Sequence, residues 1–186
     1  SNEGAQSISL DGRYMFFVAC NREGGLGGCD IYYSIHEGDG WSQAINAGSP
    51  LNTKHWETCP SFSPTGDEIY FASNRPGGVG KADIWKCKVQ ILPNGKLKFS
   101  EAVNLGKEVN SPEDEHSPFI HADNQTLYFS SKGREGLGGY DVFVTYKTPD
   151  KKWTTPINIG YPINTCQDEV GFIVNATADK AYFSSD

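Results

Sequence analysis

The 186-residue sequence contains no long apolar run, which excludes membrane-spanning helices. It also has no segment in which apolar residues recur at a sustained 3.6-residue interval, so essentially no long helix is expected. Positive charge is scarce: 16 Lys and Arg stand against 23 Asp and Glu, a formal charge of −7. Binding a phosphate backbone needs a basic face, so a nucleic-acid partner is not expected. Five cysteines are too few for a disulfide framework and odd in number. No Gly-x-Ser-x-Gly elbow, His-Glu-x-x-His helix or Cys-x-x-Cys pair occurs, so nothing resembles a nucleophile system. The opening residues, SNEGAQSISL, have neither the basic start nor the apolar core of a secretory leader. In a piece of a longer protein, that says nothing about compartment.

What the chain does have is glycine and aromatic residues: 21 Gly, 10 Pro and 12% aromatics, too aromatic for a disordered chain. They recur in a fixed order. Glu57, Glu115 and Glu169 each precede an apolar segment and then a Tyr-Phe pair (Tyr70-Phe71, Tyr128-Phe129, Tyr182-Phe183), with Glu3 and Phe16-Phe17 in the same places at the start. Gly-rich loops follow, REGGLGG from Arg22, RPGGVG from Arg75 and REGLGG from Arg134, and each closes on an Asp: Asp30, Asp83 and Asp141. Then come an apolar or aromatic triplet, an aromatic landmark (Trp41, Phe99, Trp153) and the phrases NAGSPLNT, NLGKEVNS and NIGYPINT. The spacing is 54 or 58 residues, because the second unit carries an insertion within KVQILPNGKLKF. Its Asn94-Gly95 suits a tight hairpin, and lengthening a hairpin at its tip leaves the core register untouched.

Each unit reads as four short strands; in the second these are roughly CPSFS, EIYFAS, DIWKCKV and LKFSEAVN. Gly12, Gly66 and Asn124 stand where a left-handed turn residue is needed between the first two strands, whereas Ala178 predicts a different turn in the fourth unit. Four-stranded units at this period predict an all-β chain forming a β-propeller of antiparallel blades. The units run over residues 1–53, 54–111 and 112–165, with 166–186 an incomplete fourth. A closed ring of about 4–8 blades needs more chain than this. The expectation is therefore one segment of a larger ring, for instance of six blades, with open faces able to drive self-association.

SLDGRYMFFVACNREGGLGGCDIYY, SPTGDEIYFASNRPGGVGKADIW and HADNQTLYFSSKGREGLGGYDVF resemble the PD40 (WD40-like, TolB-type) propeller repeat. The phrases NEGAQSIS, INT and DEHSPFIHAD resemble more particularly OmpA-family envelope proteins, a family that includes a component of the type IX secretion system. The resemblance covers the whole chain but only the propeller part of such proteins. It implies a periplasmic, outer-membrane-associated location and envelope proteins as partners, with any peptidoglycan contact made by domains outside this chain. Cys20 and Cys29 flank the first Gly-rich loop and could meet across a hairpin; a bridge there would fit that oxidising compartment. Cys59, Cys87 and Cys166 read as small buried apolar residues.

Candidate chemistry is sparse, and no cofactor is expected. Glu3, Glu57, Glu115 and Glu169 could ring one mouth of the channel and take a cation or a basic peptide. Equally, each could cap a local loop or pair with a nearby Arg or Lys, and recurrence in every blade favours architecture. Asp30, Asp83 and Asp141 are placed to accept loop N–H groups or to pair with Arg22, Arg75 and Arg134. The Gly-rich loops are poor phosphate cradles, since strand-forming triplets follow them rather than helices. The densest polar cluster, PEDEHSPFIHAD, offers Glu113, Asp114 and His116 as a loop site; His121 points elsewhere, and His36 and His55 read as surface residues. Trp56, Tyr161 and the Gly-rich loops are candidate contacts if exposed. The leading expectation is a non-catalytic interaction scaffold. A glycan- or muropeptide-binding module and a glycan- or peptide-processing enzyme are the alternatives, and the last requires acidic groups confined to one blade, a condition only Glu113 and Asp114 meet.

Overall fold

Alternation sets the strands. In YMFFVAC the side chains of Tyr14, Phe16 and Val18 are buried on one face, while Met15 and Phe17 on the other are half-buried. In the computed structural model, which describes residues 2–186, such strands form successive antiparallel meanders. The first sheet contains β1 (Asn2–Ile8), β2 (Tyr14–Cys20) and β3 (Cys29–Glu37). Its fourth strand is broken into β4 (Gly40–Trp41) and β5 (Ile45–Asn46), both paired with β3. The second sheet repeats the plan with β6 (Glu57–Phe62), β7 (Glu68–Ser73), β8 (Asp83–Ile91), β9 (Leu97–Phe99) and β10 (Val103–Asn104). The third contains β11 (Glu115–Ile120), β12 (Thr126–Ser131), β13 (Asp141–Tyr146) and β14 (Ile157–Asn158). A final pair, β15 (Glu169–Val174) and β16 (Ala181–Ser185), opens a fourth unit. There is no helix among the described residues.

The opening strands face one another in sequence: β1 lies against β6, β6 against β11 and β11 against β15. The sheets therefore curl as an arc about a common axis with opening strands inside, the arrangement of a β-propeller. Ile69 and Phe71 of β7 join the core with Phe16, Ile31 and Tyr33 of the first sheet, while Tyr70 and Ala72 face Phe129, Leu127 and Phe143 of the third. One strand with period-two alternation thus feeds two cores. On β16 the equivalent pair, Tyr182 and Phe183, remains 64% and 40% exposed.

The Gly-rich phrase recurs because it makes the joint between units. Gly28 N donates to His55 O, Lys81 N to Glu113 O and Gly139 N to Gln167 O, at 3.0–3.2 Å, each bond reaching the segment that leads into the next unit. A Cβ on Gly27, Gly80 or Gly138 would collide with the carbonyls of His55, Ser111 or Gln167, so only glycine allows this approach.

One feature departs from the sequence reading, and two others add to it. The turn at Ala178 is the same as its counterparts, with φ +56° beside +70°, +75° and +58° at Gly12, Gly66 and Asn124. Asn175, Thr177 and Asp179 hold it through side-chain hydrogen bonds of 2.6–3.0 Å. The lengthened hairpin is no free tip: Tyr14 Oη donates to Gly95 O at 2.9 Å, and Leu97 N donates to Tyr33 Oη at 3.2 Å. It clasps the first sheet, while the β7–β8 register matches that of the other units. Finally, every opening strand carries a bulge two residues after its Glu, at Ala5, Cys59, Ser117 and Gly171, with φ of +49°, +50°, +48° and +69°.

Candidate functional site

The repeated carboxylates are the first place to look for chemistry, and their oxygens are already engaged. Glu57, Glu115 and Glu169 are fully buried at the heads of β6, β11 and β15. Each accepts the backbone N–H and the hydroxyl of a residue four earlier (Thr53, Ser111, Thr165) and a hydroxyl from the second strand (Ser73, Ser131, Ser185). Burial pushes the Glu115 carboxyl above the ordinary range, outweighing its bonds from Ser111 and Ser131. These groups sit within the opening strands rather than ahead of them. They bind their own lead-in loops.

The loop arginines go to glutamates or backbone carbonyls, not to the aspartates. Arg75 pairs with Glu57 at 3.1 Å and also donates to the carbonyls of Pro50 and Leu51. Arg22 pairs with Glu3 at 3.4 Å, and Arg134 donates to the carbonyls of Glu108 and Val109. Asp30, Asp83 and Asp141 instead each receive two consecutive loop N–H groups: Leu26 and Gly27, Val79 and Gly80, Leu137 and Gly138. An asparagine pair assigned no role from sequence completes the scaffold. Asn52, Asn110 and Asn164 bond both the N–H and the C=O of Ile31, Ile84 and Val142, imitating a paired strand. Asn46, Asn104 and Asn158 accept from them. The signal was the Asn-x-Gly-x-x-x-Asn spacing shared by NAGSPLN, NLGKEVN and NIGYPIN.

Unequal positions converge at one place. The bulges of β6 and β11 bring Cys59 and His116 together across 57 residues of sequence. Cys59 Sγ lies 3.7 Å from Nδ1 and 3.8 Å from Nε2 of His116, and 3.7 Å from Ser117 Oγ. His116 Nδ1 shares a 2.9 Å hydrogen bond with Ser117 Oγ. The indole of Trp56 stacks on the imidazole at 5.6 Å, and the Tyr140 ring lies tilted to it at 6.0 Å. Lys132 sits 4.2 Å over the Tyr140 ring and 3.9 Å from Asp168. Burial pushes the Cys59 thiol up, yet the bond and charge of His116, with the hydroxyls of Ser117 and Thr58, bring it below the ordinary thiol value. Burial likewise pushes His116 down, but Cys59 and Asp114 raise it overall. Burial drives the Tyr140 hydroxyl up to about 12.

The remaining candidates are scattered. Glu113 turns away to Lys81 at 2.5 Å, so Glu113, Asp114 and His116 do not form one loop site. Trp56 is half-buried rather than exposed, because it packs on the first core as well as on His116. Tyr161 is 82% exposed and stands apart. His121 bonds Asn175 O and pairs with Asp123. Of the three cysteines expected to be buried, only Cys87 is; Cys59 is half-buried at its bulge and Cys166 is exposed in the lead-in to β15. Cys20 and Cys29, directly opposed on β2 and β3, are joined by a disulfide. No group of three or more His, Cys, Asp or Glu side chains arranged for a metal exists among the described residues.

No family model matches the sequence, and no curated protein matches it. Solved structures do. TolB from Acinetobacter baumannii matches 98% of this chain with a TM-score of 0.57 at 12% identity. A TolB-like protein from Agrobacterium tumefaciens matches 100% at 0.59 and 18% identity, and an α-L-arabinofuranosidase from Lactobacillus brevis 98% at 0.57 and 15% identity. The chain spans 37%, 59% and 64% of the lengths of these three. The structure is thus an arc of β-propeller blades like those of TolB-type proteins.

Proposed function

We propose that this propeller segment is a non-catalytic interaction module of a periplasmic, outer-membrane-associated protein of the OmpA family, similar to the PorE component of the type IX secretion system. One observation carries the reading: the polar groups that recur in every blade are consumed by joints, while the Gly-rich loops hold apolar side chains out to solvent. Leu26 and Leu137 occupy the same loop position in the first and third units and are 50% and 58% exposed. Apolar studs on a polar rim suit a protein partner. The phrases NEGAQSIS, INT and DEHSPFIHAD support the envelope assignment, and the disulfide suits an oxidising compartment.

The test is crosslinking in envelope fractions with the full protein and a Leu26→Asp/Leu137→Asp variant. A defined envelope protein should crosslink to the wild type and be lost from a variant with unchanged thermal unfolding. An unchanged crosslinking pattern would overturn the rim assignment. Because a hydrolase is also among the similar folds, glycan and peptide turnover is the second arm, and none is expected. Titration with muropeptides separates a wall-binding module from a protein-binding one.

A further inference from the structure

The groups that break the repeat are more informative than those that obey it. At the bulge the four units carry Ala5, Cys59, Ser117 and Gly171, and at the preceding position Gly4, Thr58, His116 and Val170. A thiol and an imidazole therefore face each other at one boundary only, between β6 and β11. Neither takes part in the joints between units. We propose that Cys59 is a reactive thiolate site, activated by His116, that exchanges with small disulfides on the axis-facing side of the propeller.

The surroundings supply what the chemistry requires. Cys59 holds its sulfur within reach of both ring nitrogens, so the thiol proton has a base beside it. Ser117 binds Nδ1 and fixes the ring, leaving Nε2 to share that proton. An imidazolium stacked on the face of Trp56 gains from its π-system. Asp114 favours the imidazolium; Lys132 opposes it from 4.2 Å above Tyr140 and is paired with Asp168. In the exchange, Cys59 Sγ attacks one sulfur of RS–SR, forming a Cys59–SR bond as the RS–SR bond breaks. The departing RS⁻ takes the proton from His116, so a thiol becomes a mixed disulfide and half of the reagent is reduced to RSH. Cys59 is half-buried between two opening strands, so a small disulfide reaches it more readily than a folded protein does.

The test uses the intact chain with glutathione disulfide, acid quenching and peptide-resolved mass spectrometry, following Cys59 and Cys166 in the same sample. Cys166 is exposed and lacks such a base, and Cys87, buried and pushed up to about 12, should stay unmodified. At pH 6 Cys59 should acquire glutathione at least tenfold faster than Cys166, with Cys20–Cys29 intact. His116→Asn should remove that advantage at pH 6 without altering Cys166, and the two proteins should converge by pH 9. A Cys59 rate at or below that of Cys166 at pH 6, or one unaffected by His116→Asn, would overturn the proposal. If His116→Asn does not fold, the wild-type profile decides. A Cys59 rate nearly flat from pH 6 to 8 supports the activated thiolate; a tenfold rise per pH unit alongside Cys166 refutes it.

Discussion

At the scale of single residues, the same amino acid does different work according to what encloses it. Glu57 meets Arg75, whose side chain is itself only 8% exposed and stacks on Phe71 and Trp85. Glu115 has the same hydroxyl and N–H donors, but Arg134 of its loop goes to the carbonyls of Glu108 and Val109 instead. Removing one member of a buried pair strands the other, at a cost of about 3–5 kcal/mol. Losing a hydrogen bond to a charged group alone costs about 1.5–3 kcal/mol. Glu57→Gln should therefore lower the urea midpoint more than Glu115→Gln. Equal midpoint shifts would mean that the arginine contributes nothing.

At the scale of elements, the broken fourth strand explains the asparagines. The pieces β5 and β10 are two residues long and cannot satisfy the whole edge of the third strand, so a buried side-chain amide finishes the pairing. Asn110→Ala would leave the N–H of Ile84 without a partner inside a core, while its C=O keeps the bond from Leu105 N. At about 1–3 kcal/mol for a buried group left unpaired, the expected loss is of that size in chemical denaturation, with the sheet still formed by circular dichroism. Strands, loops and their order were legible because alternation and turn residues are local signals. The bulges were not: Ala5, Cys59 and Ser117 adopt positive φ without being glycine, and only contacts between neighbouring strands hold them there. The meeting of Cys59 with His116 was hidden for the same reason, since it depends on two bulges facing each other.

At the scale of the molecule, the arc has two dissimilar ends. One presents Ile8, 55% exposed, beside Met15; the other presents Ile173 and Tyr182, 47% and 64% exposed. Unlike faces at opposite ends favour head-to-tail contact rather than a two-fold dimer. In sedimentation of the 186-residue chain, the weight-average mass should rise with concentration and fall towards that of a monomer in a Tyr182→Ser/Phe183→Ser variant. A wild type that stays monomeric throughout would show that the ends do not attract. The clasp from Gly95 to Tyr14 ties the first two sheets at their rim, so such association should leave their core undisturbed.

A structure assembled from copies resists novelty, since an edit in one copy usually loosens the seam it shares with the next. The kink in each opening strand escapes that constraint. Ala5, Cys59, Ser117 and Gly171 agree only in being small, and the seams close whichever of them is present. Each blade thus keeps one unconstrained position beside the axis, where a new reactivity can be installed without re-engineering the ring.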